Sequence, residues 1–233
     1  MNTYKCIEVE LLRAEPTRLI LGCDEVGRGP LAGPVTTACV AFPTSLGPEF
    51  ALFGELNDSK QLTAHKRESL VSAIEAAAAA YAVVDISPEE IDRINILQAS
   101  LKGMRLAVEK VLERLSARHA VMMVHQPSQM SLFERDASEA LTPDVLVAVD
   151  GNKRIPELNV PQETYVKGDA RSWNIAAASI LAKVHRDALM AEYDKLYPSY
   201  GFAKHAGYPT KFHREAIKEL GFCPIHRRSF KVR

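Results

Sequence analysis

Residues 23–35 read CDEVGRGPLAGPV, and the fold is decided by how this stretch is parsed. Asp24 and Glu25 end an apolar run that begins Leu19-Ile20-Leu21, and a glycine- and proline-rich turn starts at Gly27. Two adjacent carboxylates repel each other, so their place at the end of an apolar segment asks for something positive nearby. "LILGCDE" before the turn reads as a strand. "PVTTACVAF" after it is rich in β-branched residues, and the two predict a hairpin.

Outward from that hairpin, residues 43–62 read as loop. A helix is expected from Thr63 to about Ala80, with Lys66 and Arg67 in its first turn, followed by the strand "YAVVDIS". "SPEE" is a helix start, with Ser87 as N-cap, Pro88 at N1 and Glu90 at N3 completing a capping box. "ILQASLKGMRLAVEKVLERL" has apolar residues close to helical spacing. The polar stretch "HQPSQMSLFERDASEALTP" breaks the pattern, and residues 119–141 read as a loop insertion. "DVLVAVD" predicts a buried strand ending at Asp150-Gly151. "TYVKGD" predicts a short strand ending at Gly168-Asp169, and a long helix follows until Pro198 stops it. Its Ala-Ala-Ala-Ser centre permits close packing on a sheet. The basic stretch from about 199 to 233 holds an irregular loop and a short helix from Thr210 to about Leu220. Residues 1–17 read as an N-terminal appendage. Antiparallel strands, further strands and intervening helices together predict one α/β domain over residues 1–233 with a mixed sheet.

The 233 residues are 47% hydrophobic and 25% charged, an ordinary globular composition with no net charge. From Lys167 onward there are 13 Lys/Arg against 6 Asp/Glu, so that part carries +7 and the rest −7. Such a division suits a protein that holds a polyanion with one part and a cation with another, and it also suits ordinary solvated faces. The four cysteines show no metal-ligand spacing, and no apolar run reaches membrane-spanning length. A reduced, cytoplasmic protein with no membrane partner is expected.

Three predicted strands end in acids: Asp24-Glu25, Asp150 and Asp169. Asp beside Gly is also a common turn signal, which would explain Asp150 and Asp169 separately. Four carboxylates at neighbouring sheet edges would repel strongly unless divalent cations sit among them. Mg²⁺ favours a few carboxylates with water and phosphate oxygens, and two such ions about 4 Å apart can activate a water and stabilise the leaving oxygen of a phosphodiester. Successive strand residues face opposite ways, so Asp24 and Glu25 could share one site only through a twist or bulge, or through the Glu25 backbone.

In order along the chain, "CDEVGRGPLAGPV", "NDSKQL", "VDGNKRIP", "KGDARSWNIAAASILAKVHRD" and "HAGYPTKFHREAIKELGFCPIHRRSF" resemble the successive motifs of the type 2 ribonucleases H, the ribonuclease HII family. The resemblance spans about Leu19 to Phe230. It implies a ribonuclease H-like mixed sheet flanked by helices, with a C-terminal helical extension. It puts an acidic quartet on Asp24, Glu25, Asp150 and Asp169, binding two Mg²⁺ or Mn²⁺ ions. The implied reaction cuts on the 5′ side of a ribonucleotide, in RNA/DNA hybrids or at single ribonucleotides in duplex DNA, leaving a 3′-hydroxyl and a 5′-phosphate.

The same resemblance implies that Gly27, Arg28 and Gly29 contact the ribose 2′-hydroxyl, the group that separates RNA from DNA. Tyr208 would stack on the sugar of the following nucleotide. Asn57, Ser59, Lys60, Ser172, Lys183, Lys211 and Arg228 stand in matched motifs as candidate phosphate contacts, and Lys183 shares a helix face with Ser179. Type 3 enzymes carry a separate N-terminal domain, for which the stretch before the first strand is too short. Within the insertion, "QMSLF" resembles the motif by which bacterial replication proteins dock on the sliding clamp, with Gln129, Leu132 and Phe133 as anchors. Leu132 and Phe133 could instead fold back on the body. Two other functions compete: a non-catalytic nucleic-acid-binding module, and another two-metal nuclease of the same fold, such as a junction resolvase.

Overall fold

The computed structural model describes residues 6–47, 50–56, 64–124 and 144–232. Among these residues five strands form one mixed sheet in the order β3-β2-β1-β4-β5: β1 Leu19–Val26, β2 Val35–Ala41, β3 Ala80–Ile86, β4 Val145–Asp150 and β5 Gln162–Tyr165. β1 and β2 pair antiparallel as the hairpin predicts, and so do β2 and β3. β1–β4 and β4–β5 are parallel. The helices are α1 Ile7–Ala14, α2 Ala51–Leu56, α3 Ala64–Ala77, α4 Pro88–Ile94, α5 Ile96–Val124, α6 Trp173–Leu196, α7 Phe202–His205 and α8 Lys211–Leu220. Among the described residues no helix is long and apolar enough to cross a membrane.

Every residue of β2 is buried, because helices cover both sheet faces. Val35, Cys39 and Ala41 pack with Val108 and Val111 of α5. Ala38 and Val40 pack on the other face with Trp173, Ala176 and Ala177 of α6. The small residues of α6 bring it close to β1: a Cβ on Gly22 would stand 2.2 Å from the Asn174 carbonyl carbon. A third apolar cluster, with Leu31, Ala32, Met190, Phe202 and Ile217, seats the C-terminal extension on the loop after β1.

Four expectations need correction. The first 17 residues are not a mere appendage, because α1 buries Ile7 and Glu8 against the body. Residues 51–56 of the expected loop form α2, whose Leu52, Phe53 and Leu56 find the α6 face of the sheet. Residues 119–124 of the expected insertion continue α5, and residues 125–141 lie outside the described residues. Ser87 caps α4 by accepting from Glu90 N at 3.3 Å. The box is not reciprocal, however: the Glu90 carboxylate turns instead to Arg93 and Lys102.

Candidate active site

Cys23 pairs with Val149 across the parallel β1–β4 ladder, so Asp24 and Asp150 follow as the next residue on each strand. Asp24 is 6% exposed, on the face covered by α6. Burial first, then the charges of Asp150 and Glu25, pushes its carboxyl well above the usual carboxylate range, against a hydrogen bond from Ser179. The Glu25 backbone N–H donates to Asp24 Oδ1 at 2.7 Å. β1 keeps unbroken register with β2 through Val26, so no bulge turns Glu25 onto the face of Asp24. Its side chain meets Arg28 Nη1 at 3.1 Å instead. Burial raises the Glu25 carboxyl, the Arg28 charge opposes this, and Asp150 adds to it. Asp24, Glu25 and Asp150 therefore share one electrostatic field although Asp24 and Glu25 leave the strand in opposite directions.

Asp169 does not end a strand. β5 stops at Tyr165, Lys167 takes a left-handed conformation at φ 57°, and Asp169 sits buried in a single 3₁₀ turn, Gly168–Ala170. The turn is joined to β4, because Gly168 N donates to Asp150 Oδ1 at 2.7 Å. As the side chains stand, no group of three or more His, Cys, Asp or Glu among the described residues is gathered to hold a metal ion. The donor set of four carboxylates nevertheless suits a hard cation, which needs only one or two of them alongside water and phosphate oxygens. A cation at this edge would offset the burial, and the smaller repulsion, that raise Asp24.

The Gly27-Arg28-Gly29 turn lies against two buried arginines that sequence reasoning missed. Arg227, 1% exposed, donates to the carbonyls of Gly27, Arg28, Pro30, Gly33 and Pro34 at 2.6–3.1 Å. Arg186 is fully buried and donates to the carbonyls of Ala32, Pro34 and Ala206. Gly27, at φ 90°, has no room for a side chain, since a Cβ there would be 2.3 Å from Arg186 Nε. A signal for Arg186 was available: it stands at i+4 spacing between Ala182 and Met190 on the buried stripe of α6. Tyr208, 43% exposed, lies over the same turn, with its Cε1 3.5 Å from a Cβ built on Gly29.

The remaining candidates divide. Ser172 is fully buried as the N-cap of α6, accepting from Ile175 N and donating to Glu8, which leaves no surface for a phosphate. Lys183 pairs with Asp187 at 2.7 Å and lines a groove with Lys204 and Tyr208. Lys211 is exposed at the start of α8, and Arg228 is exposed where its backbone N–H binds Asp92. Asn57, Ser59 and Lys60, and likewise Gln129, Leu132 and Phe133, lie outside the described residues.

Comparison with known proteins bears on this arrangement. The family model described as Ribonuclease HII matches residues 21–233. A Ribonuclease HII of Pelodictyon phaeoclathratiforme is 46% identical over 219 residues, covering 94% of this chain and 92% of that one. Among solved structures, the ribonuclease H2 of Pyrococcus horikoshii aligns with a TM-score of 0.62 at 25% identity, over 92% of this chain and 94% of its own. An Archaeoglobus fulgidus RNase HII, solved in complex with PCNA, aligns with a TM-score of 0.61 at 25% identity, over 92% and 96%.

Proposed function

The chain belongs to the ribonuclease HII family of metal-dependent endonucleases, and we propose that it acts on RNA/DNA hybrids and on duplex DNA with an embedded ribonucleotide. It hydrolyses the phosphodiester on the 5′ side of the ribonucleotide, leaving a 3′-hydroxyl and a 5′-phosphate. The observation that carries this reading is that Asp24 and Asp150 follow the last registered pair of two parallel strands, with the Asp150 charge felt at the Asp24 carboxyl. Asp24, Glu25, Asp150 and Asp169 would hold two Mg²⁺ or Mn²⁺ ions, which would supply an activated water and stabilise the leaving 3′ oxygen.

The protein's own groups set the substrate. With the Gly27 and Arg28 carbonyls turned to Arg227, the Gly27–Gly29 turn meets the ribose through N–H groups and glycine Cα atoms, where a backbone can approach closely. The 2′-hydroxyl is the feature it reads. Tyr208, already packed on Gly29, stacks on the next sugar. Lys183, Lys211 and Arg228 bind phosphates further along the duplex, and Asn57, Ser59 and Lys60 are assigned to the same task on sequence alone. Arg28 pairs with the Glu25 carboxylate beside the turn. A cytoplasmic location fits this work.

Cleavage of a labelled duplex carrying one ribonucleotide, with Mg²⁺, tests the reading. The wild type is expected to cut once, 5′ to the ribonucleotide. Asp24→Asn is expected to lose more than about a hundredfold in kcat, beyond the effect of removing a mere supporting partner. Tight binding without a cut by the wild type would favour a non-catalytic binding module. Cutting a four-way junction without ribonucleotides would favour a resolvase.

The sequence Gln129-Met130-Ser131-Leu132-Phe133 supports a second contact, with the replication sliding clamp. Fluorescence anisotropy with purified clamp is expected to show binding that Leu132→Ala/Phe133→Ala abolishes, and equal binding by both proteins would rule the contact out.

A further inference from the structure

Glu8 is a carboxylate only 2% exposed, on the first helix of the described chain. Burying such a group is unfavourable unless donors meet it, and here they do. Oε1 accepts from Ser172 Oγ at 2.5 Å, Asn174 N at 3.1 Å and Asn174 Nδ2 at 3.1 Å. Oε2 accepts the Cys6 thiol at 2.8 Å. The preceding amide, Ile7 N, donates to Arg171 O at 2.9 Å. Two successive residues of α1 thus hold residues 171–174, the junction where the Asp169 turn becomes α6. A negative side chain at the start of a 24-residue helix also answers the partial positive charge there.

The hydrogen bonds do not stop at the junction. Ser172 N donates to Gly168 O at 2.8 Å, as does Arg171 N, closing the turn around Asp169. Gly168 N then donates to Asp150 Oδ1 at 2.7 Å. On the other side, Asn174 Oδ1 accepts Phe42 N at 3.0 Å, which fixes the junction to the chain just beyond β2. A continuous chain of hydrogen bonds therefore runs from Glu8 through Ser172 and Gly168 to one acid of the site, with a second acid on the turn between them.

We infer that Glu8 is a positioning residue for the catalytic edge, clamping the Asp169 turn and, through Ser172 and Gly168, the Asp150 carboxylate. The inference rests on the reading of Asp150 and Asp169 as metal-holding acids. Glu8 itself touches neither the substrate nor an ion. It acts as a supporting partner of the ligands, and the loss of such partners costs ~10–100-fold in metal affinity or activity.

The test uses the full chain with Glu8→Ala, Glu8→Gln and a control, Leu70→Ala, which opens the same core cluster from α3 without touching the turn. Mn²⁺ binding is read by electron paramagnetic resonance, together with amide hydrogen exchange over residues 168–172 and kcat and KM on the ribonucleotide duplex. For Glu8→Ala, Mn²⁺ affinity is expected to fall ~10-fold or more, with kcat falling ~10–100-fold and KM changing much less. Exchange at residues 168–172 should speed up. Glu8→Gln keeps an oxygen for the three Oε1 bonds and should recover most of the loss. Leu70→Ala should lower thermal stability while leaving Mn²⁺ affinity unchanged.

Wild-type Mn²⁺ affinity and kcat in Glu8→Ala would overturn the inference, and so would an equal loss of both in Leu70→Ala. If Glu8→Ala does not fold, Ser172→Ala breaks the same link with Glu8 in place and carries the same expectation. Because Mn²⁺ binding is read directly, the comparison still decides the matter if the wild type cuts no such duplex. That outcome would count against the functional reading alone.

Discussion

Arg227 meets five carbonyls of one loop, which only a planar fork of N–H groups can do. Lysine carries the same charge as a point with three donors and Pro34 O keeps its bond from Arg186, so Arg227→Lys leaves at least one buried carbonyl without a partner. Bonds to a charged donor are worth ~1.5–3 kcal/mol each, so the variant should lose at least about 1.5 kcal/mol of stability in urea denaturation. Its KM for a ribonucleotide duplex should rise more than its kcat falls, because the loop proposed to read the sugar is loosened while Asp24 and Asp150 stay on their strands. An unchanged KM would mean that the loop holds its shape without Arg227. Residue-scale legibility was uneven for a clear reason. Asp24, Glu25 and Asp150 announce themselves because charge at the end of an apolar strand is locally anomalous. Arg227 stands beside Arg228 in a basic tail, and nothing local separates the buried one from the exposed one.

The elements were most legible where their ends carry local signals. Ser87-Pro88 starts α4, Thr210 caps α8 by accepting from His213 N, and both follow from nearest neighbours in sequence. α1 and the Asp169 turn were not legible, because Glu8 finds its partners 164 and 166 residues away and the turn depends on a left-handed Lys167. The C-terminal extension has a further property that its pattern hid. Cys223 N donates to His226 Nδ1, so His226 carries its proton on Nε2, facing His213 Nε2 at 3.1 Å. His213 must accept there and donate from Nδ1 to Tyr208 O. Both rings are thus neutral, and a proton added to either sets N–H against N–H. Burial first, then His213, pushes His226 down to about 4, and burial lowers His213 too. The folded value lies below the unfolded one, near 6.5, so the unfolded chain binds more protons between those limits. The stability is therefore fully present above about pH 6.5 and is lost as the pH falls toward 4, by on the order of 2–3 kcal/mol for His226. Denaturant titrations at pH 7 and pH 5 should show this loss in the wild type. His226→Gln should be less stable at pH 7 but flatter across the range, and an equally steep profile in that variant would assign the proton uptake elsewhere.

At the scale of the whole molecule, a net charge of zero conceals a chain divided against itself, −7 before Lys167 and +7 from it onward. The fold sets some of these charges apart in space. Asp24 and Asp150 end neighbouring strands and the Asp169 turn is tied to Asp150 through Gly168, while Lys183, Lys204 and Lys211 stand on the helices that frame Tyr208. Composition showed this division without its meaning, because sequence order does not say which charges share a surface. If the basic side holds the duplex, affinity must fall with salt in spite of the zero net charge, since each neutralised phosphate releases condensed counterions. Replacing Lys183, Lys204 and Lys211 together with Ala should flatten the slope of log K against log salt by about 2–3. Lys183 also pairs with Asp187, so its share should be the smallest. At saturating duplex the triple variant should keep kcat within about threefold, because none of the three lysines reaches the carboxylates by any contact described above. A filter-binding series from low to physiological salt measures the slope. An unchanged slope would place the duplex on a different face and separate the charge division from substrate binding.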